Sequence, residues 1–233
     1  MITLFRGIAD ACGDKGLKGT PSGFLPVKLV YALLIEIAGE GAYWKPGKFW
    51  INNEDKFPEL IMARHCATWA GLLRKLHGKF RLTKKGGNLL EEQAYGTIYY
   101  ELFKQACLKW NWGYMDGCAD FHVMRTAFPV SLRLLQRDGG KFRDPENHYG
   151  KLFVQAFPVV IEEAEVDPAR WKSITLEKYA WEAYALRMFL RFAIPFGLVD
   201  YEPKLANQWV GNMDRKLRVK KKKLLGSFVE FMV

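Results

Sequence analysis

The chain is poor in the residues and patterns that mark chemistry. It has four cysteines, Cys12, Cys66, Cys107 and Cys118, far apart and with no CxxC pair among them. The simplest expectation is four buried thiols of a cytoplasmic protein. No apolar run reaches the roughly 18 residues of a membrane-spanning helix, so no membrane partner is expected. The opening MITLFRGIADACGD lacks the basic start, apolar stretch and small-residue cleavage site of a secretory leader.

Phosphate-loop chemistry is missing as well. The stretch CGDKGLKGTPSG is glycine-rich. However, no Gly-Lys-Ser/Thr follows four spacers and no apolar strand leads into it. That stretch is therefore expected to form a loop. The densest polar group is Asp116, Cys118, Asp120 and His122. Its spacing matches no closed zinc pattern and no second ligand cluster exists, which predicts a turn with Asp120 as a helix cap. His65 and Cys66 are adjacent on a predicted helix, about 100° apart, so they cannot act as base and nucleophile. They are expected to be packed core positions. Glu162, Glu163 and Glu165, just before Asp167-Pro168, read as a solvated helix end. These readings assign no catalytic residue, metal ligand or cofactor.

What the chain has in quantity is core and positive charge. Its 233 residues are 49% hydrophobic and 15% aromatic, enough for a substantial core in one domain or two small ones. The net charge is +10, and residues 204–223 carry +7 of it through Lys204, Arg215, Lys216, Arg218 and Lys220 to Lys223 against Asp214. A concentrated basic strip points to a polyanion partner more strongly than diffuse charge does. A solvated basic tail is the alternative. In GAYWKPGKFW, the aromatics Tyr43, Trp44, Phe49 and Trp50 alternate with Lys45 and Lys48. That pattern suits either a loop covering the core or a surface that stacks bases.

Apolar spacing predicts helices over Leu25–Ala38, from Pro58 to about Leu76, over 95–110 and over 119–137, the last kinked at Pro129. Further helices follow from Pro145 to Ala156 and from Thr175, as N-cap, to Ala193. KFRLT (79–83), GLVDY (197–201) and RKLRVK (215–220) alternate as half-buried strands, and 84–87 reads as a turn.

The phrase GLLRK…GKFRLTKKGGNLL resembles the ends of winged helix domains, in which a helix is followed by a strand, a basic turn and a second strand leading into another helix. FGLVDYEP…RKLRVKKKKLLGSF resembles it more weakly. The resemblance implies a mainly α fold with small β-hairpins. It implies one winged-helix-like module at 25–90, a helical hairpin linker region at 91–148 and a second module at 149–233. It also implies that Leu72, Leu73, Phe80 and Leu82 dock the hairpin and that Thr83 caps the helix after it, with Lys84 and Lys85 at its exposed tip. The middle, with its NWGY, is similar to uncharacterised bacterial proteins, often from mobile elements, and carries no function.

In DNA-binding winged helices, the helix before the hairpin enters the major groove. Here both such helices are expected to be buried all round. The expected contacts are therefore with phosphate, through Lys79, Arg81, Lys84 and Lys85 in the first hairpin. In the second they are Arg215, Lys216, Arg218, Lys220, Lys221, Lys222 and Lys223. The first reading is a non-enzymatic protein bound to DNA or RNA backbone. The alternatives are a protein-interaction or structural module and, third, a metal-dependent enzyme using Asp116–His122.

Overall fold

The structure is a computed structural model that describes residues 1–38, 53–114, 116–164, 174–202 and 217–229. The chain divides into two compact units, Met1–Trp110 and Asn111–Val233. Both are mainly helical, and each carries one small antiparallel sheet.

In the first unit, helix α1 (Ile2–Cys12) leads through strand β1 (Leu17–Lys18) to α2 (Val27–Ala38). A short 3-10 turn (Glu54–Lys56) then precedes α3 (Pro58–Trp69). A hairpin follows, β2 (Leu73–Leu76) with β3 (Lys79–Leu82), then α4 (Lys84–Glu91) and α5 (Tyr95–Leu108).

Several of these elements depart from the sequence expectation. The glycine-rich stretch holds only the two-residue strand β1, but the residues before it form helix α1. Leu4, Phe5, Ile8, Ala9 and Cys12 recur at helical spacing and are all buried, a stripe that Gly7 and the glycine-rich segment after it disguise. Helix α3 ends at Trp69 rather than near Leu76, and the chain turns there into a strand. Residues 84–87 are the first turn of α4. Thr83 does cap that helix, its hydroxyl accepting from the Gly86 amide at 3.0 Å. The hairpin tip is His77-Gly78, both at positive φ (49° and 71°), so Lys84 and Lys85 lie at a helix start and not at the tip.

The second unit has α6 (His122–Thr126), α7 (Phe128–Asp138) and a π-helical turn (Pro145–Gly150) running into α8 (Lys151–Ala156). Then come α9 (Val159–Ala164) and α10 (Leu176–Ala185), the latter continuing as π-helix over Leu186–Ala193. Strands β4 (Val199–Glu202) and β5 (Arg218–Lys221) form a hairpin that ends in α11 (Lys223–Phe228). Pro129 does not kink one helix. It sits in the first turn of α7, where its missing N–H costs nothing, and so separates two helices. Thr175 caps α10 as expected, accepting from the Lys178 amide. The division between units places α5 in the first and α6 and α7 in the second.

The two units repeat one local device. Helix α3 closes with the Leu72 amide on the Ala67 carbonyl (2.8 Å) and the Gly71 amide on the Thr68 carbonyl (3.0 Å). The π-helical end of the second unit closes with Leu198 on Ala193 (2.8 Å) and Gly197 on Ile194 (2.9 Å). Both are Schellman closures, and both need a left-handed residue: Gly71 has φ 71° and Gly197 φ 68°. Leu72 and Leu198 are fully buried beneath the closure. Each leucine carbonyl then accepts the amide that follows the second hairpin strand, Thr83 at 3.1 Å and Lys222 at 2.8 Å. The sheets match as well. The first has the order β1-β3-β2. In the second, Arg143 bridges Val219 on β5 and so stands where Leu17 faces Phe80 on β3.

Candidate polyanion-binding faces

The helices that precede the hairpins present little outward surface. On α3, Glu59 to Arg64, Cys66 and Ala67 are buried, and only Thr68 and Trp69 are exposed. Arg64 turns inward: its Nε donates to Glu54 Oε1 at 2.6 Å, while Glu54 Oε2 accepts the Leu25 amide at 2.8 Å. From Tyr179 to Val199 no residue is exposed. The expectation that both helices are core holds on these burials.

The charge lies on the hairpins, in two different arrangements. Residues opposite each other on antiparallel strands share a face. In the first sheet Arg74 pairs with Arg81, Leu76 with Lys79, and Lys18 with Lys79 across the other edge. One face therefore holds Lys18, Arg74, Lys79 and Arg81, with the exposed Leu76 beside them. The other holds Leu73 and Phe80, both buried, which dock the hairpin as expected, with Leu82 half-buried beside them. Among the described residues none of the four cations makes an ion pair. Lys79 Nζ donates only to the Lys15 carbonyl, at 3.4 Å.

The glycine-rich segment that read as a loop completes this face. The Gly19 amide donates to the Gly78 carbonyl at 2.9 Å, and on the opposite face Lys75, the cross-strand partner of Phe80, donates from Nζ to the Gly23 carbonyl at 3.2 Å. Gly16, at φ +76°, lies beneath the Arg81 side chain. A Cβ there would sit 2.9 Å from Arg81 Cγ and 3.3 Å from its Nε. The sequence assigned Lys79 and Arg81 to this surface but missed Arg74 and Lys18, because a two-residue strand leaves no alternation to detect.

Lys84 and Lys85 stand apart from that face at the start of α4. Lys85 Nζ meets Glu101 Oε1 at 3.1 Å and the Ala70 carbonyl at 3.1 Å, where it caps the carboxyl end of α3.

The second hairpin has the same register with acids in it. Asp200 pairs with Lys220 and Glu202 with Arg218, so Asp200 occupies the place of Arg74 and Glu202 that of Leu76. Arg218 Nη1 meets Glu202 at 3.0 Å and Lys222 Nζ meets Asp200 at 3.2 Å. Lys221 Nζ donates to the Gln136 carbonyl, and Arg218 and Lys220 lie over the Phe142 ring, at 5.9 and 6.0 Å. Lys223 opens α11, exposed. Arg215, Lys216 and Lys204 lie outside the described residues, as do Tyr43, Trp44, Lys45, Lys48, Phe49 and Trp50.

The Asp116–His122 segment is a strap held from inside. Asp116 Oδ2 accepts from Arg187 Nε at 2.5 Å, both side chains buried, and its Oδ1 accepts the Cys118 amide at 2.8 Å. Arg187 Nη2 also donates to the Ala119 carbonyl at 2.7 Å. Asp120 is not the cap of α6. The Glu163 carboxylate takes the Val123 amide instead, at 3.2 and 3.3 Å, so this glutamate of the acidic cluster serves as a helix cap. Among the described residues no three His, Cys, Asp or Glu side chains gather as metal ligands.

Nor are His65 and Cys66 poised for chemistry. Burial, with the Arg64 guanidinium beside it, pulls the His65 imidazole from 6.5 down to about 4. Burial drives the Cys66 thiol well above its ordinary value and raises Cys107 to about 12, so both thiols stay protonated. His65 packs on Trp69 and Trp110, with ring centroids 5.3 and 6.1 Å away. Among the described residues no helix is long and apolar enough to cross a membrane. In comparisons with protein-family models, curated proteins and solved structures, nothing matches the chain.

Proposed function

We propose that the protein is a non-enzymatic nucleic-acid-associated protein that holds the phosphate backbone on the outward face of its first sheet. Both units are read as winged-helix-like. In the first, the order helix, strand, helix, helix, strand, strand, with the first strand pairing the last, supports that reading. In the second, the bridge from Arg143 to β5 supports it.

One observation carries the functional reading. Arg74 faces Arg81 and Lys18 faces Lys79 without a carboxylate among them. Like charges directly opposite each other destabilise a sheet, and a bound polyanion would relieve that cost. With the helices buried, such contacts bring phosphate affinity without base readout. The second hairpin meets its cations with its own Asp200 and Glu202, which favours a structural or protein-contacting role for the second unit.

The test is fluorescence anisotropy with a labelled random-sequence duplex at 50 and 200 mM salt. The reading expects binding that falls roughly 40-fold to 150-fold if three or four phosphates are neutralised. Binding that is absent at 50 mM salt, or equal at both concentrations, overturns it.

A further inference from the structure

The structure assigns the glycine-rich edge Gly16–Lys18 to the phosphate site, with Lys18 as a direct contact and Gly16 as the positioning residue for Arg81. This rests on the reading of the first sheet as a polyanion face.

The edge strand does more than extend the sheet. Lys18 stands opposite Lys79 and is exposed, so it adds a cation from a third strand. Strand residues two apart are about 6.8 Å apart along β3, which sets Lys79 and Arg81 at a spacing comparable to that of neighbouring phosphates on one nucleic-acid strand. Arg81 faces Arg74 on one side and Gly16 on the other. Its stem crosses the Gly16 backbone, within 2.9 Å of where a Cβ would stand. A side chain at 16 would meet the Arg81 stem and, at 3.0 Å, the Phe80 carbonyl. Glycine therefore leaves room for the Arg81 stem to lie over the edge strand that bears Lys18. The backbone at 16 is also left-handed (φ +76°), a conformation that asparagine tolerates better than other side chains. Among the described residues this face carries no aromatic side chain to stack a base, since Phe80 points to the buried side. Its ligand is thus the phosphodiester backbone itself.

The experiment compares the full chain with Gly16→Asn, Arg81→Ala, the Gly16→Asn/Arg81→Ala pair and Lys18→Ala, using a labelled random-sequence duplex at 100 mM salt. Thermal melts confirm folding. Gly16→Asn keeps the left-handed turn accessible but crowds Arg81. It is expected to weaken binding roughly fivefold to tenfold, as if one phosphate contact were lost, and by clearly less in the Arg81→Ala background, where only the Phe80 carbonyl still crowds residue 16. Lys18→Ala, which leaves the backbone unstrained, is expected to lose a similar factor. Wild-type affinity in Lys18→Ala overturns the assignment, as does a Gly16→Asn loss of equal size with Arg81 already gone. If Gly16→Asn fails to fold, Lys18→Ala alone decides. A wild-type chain that does not bind duplex at all defeats the functional reading itself. A wild-type chain that binds while Lys18→Ala binds equally well defeats only this inference.

Discussion

Arg74 and Arg81 stand directly opposite each other on neighbouring strands with no carboxylate between them. At the matching place in the second unit, Asp200 stands opposite Lys220. The same hairpin is thus built twice, once with outward cations that have no carboxylate partner among the described residues and once with Asp200 and Glu202 set among them.

The like-charge pair sets an expectation for stability. Replacing Arg74 with Thr should leave the first unit unchanged or stabilise it by about 0.2–1 kcal/mol at low salt. The gain should shrink as salt screens the repulsion. Urea unfolding at 20 and 300 mM salt reads both effects. Asp200→Ala should act in the opposite direction, because it removes the partner of Lys222, and by no more than about 1 kcal/mol since the pair is exposed.

The two buried ion pairs should be far costlier to break. Arg64→Met leaves the fully buried Glu54 carboxylate without its guanidinium. Arg187→Met does the same to Asp116. Each should cost about 3–5 kcal/mol, measured by chemical denaturation. Replacing both partners, as in Glu54→Gln with Arg64→Met, should recover part of the loss.

The two Schellman closures should respond alike. Gly71→Ala and Gly197→Ala each force a side chain into a left-handed conformation at φ 71° and 68°. Neither glycine has a neighbour within 4 Å of an added Cβ, so the cost is backbone strain alone, about 1–2 kcal/mol. Equal shifts in two separate unfolding transitions would mark the closures as one repeated device.

Acidity should act on the two units with opposite signs. His65 is held at about 4 against 6.5 by burial and by Arg64. Unfolding then takes up a proton between those values, so the first unit loses stability as the pH falls from 6.5 toward 4. Glu146 is held at about 7 against 4.5 by burial and by the Glu182 and Asp144 carboxylates. There the folded state keeps the proton, so its contribution is present below 4.5 and lost as the pH rises through 7. His65→Gln should flatten the first dependence and Glu146→Gln the second, in urea midpoints taken from pH 4.5 to 8.

Much of the fold was legible in the sequence, because long amphipathic helices announce themselves. The apolar spacing predicted Leu25–Ala38 and Thr175–Ala193, close to the observed Val27–Ala38 and Leu176–Ala193, the Thr175 cap followed from residue type and the Thr83 cap from the resemblance. Helix α1 was hidden although its stripe is intact, because Gly7 and the glycines after it suggested a loop. The candidate face was legible only in part. Lys79 and Arg81 alternate visibly, but their opposition to Lys18 and Arg74 is a matter of register. Register follows the turn, and the two-residue turn at His77-Gly78 was not located from the sequence. The same gap hid the neutralisation of Arg218 and Lys222, whose partners Glu202 and Asp200 lie across the hairpin. Arg187 and Asp116 are 71 residues apart, and no local rule joins them.

The central claim is that the first sheet, and not the lysine-rich second hairpin, carries polyanion affinity. It is tested most directly by the slope of log affinity against log salt for a random-sequence duplex. One variant is Lys18→Ala/Arg74→Ala/Lys79→Ala and the other is Arg218→Ala/Lys220→Ala/Lys222→Ala. The account predicts that the first loses about 0.9 of slope for each phosphate contact removed, while the second keeps the wild-type slope. A first variant that binds as the wild type does, with the second losing the salt dependence, would contradict it.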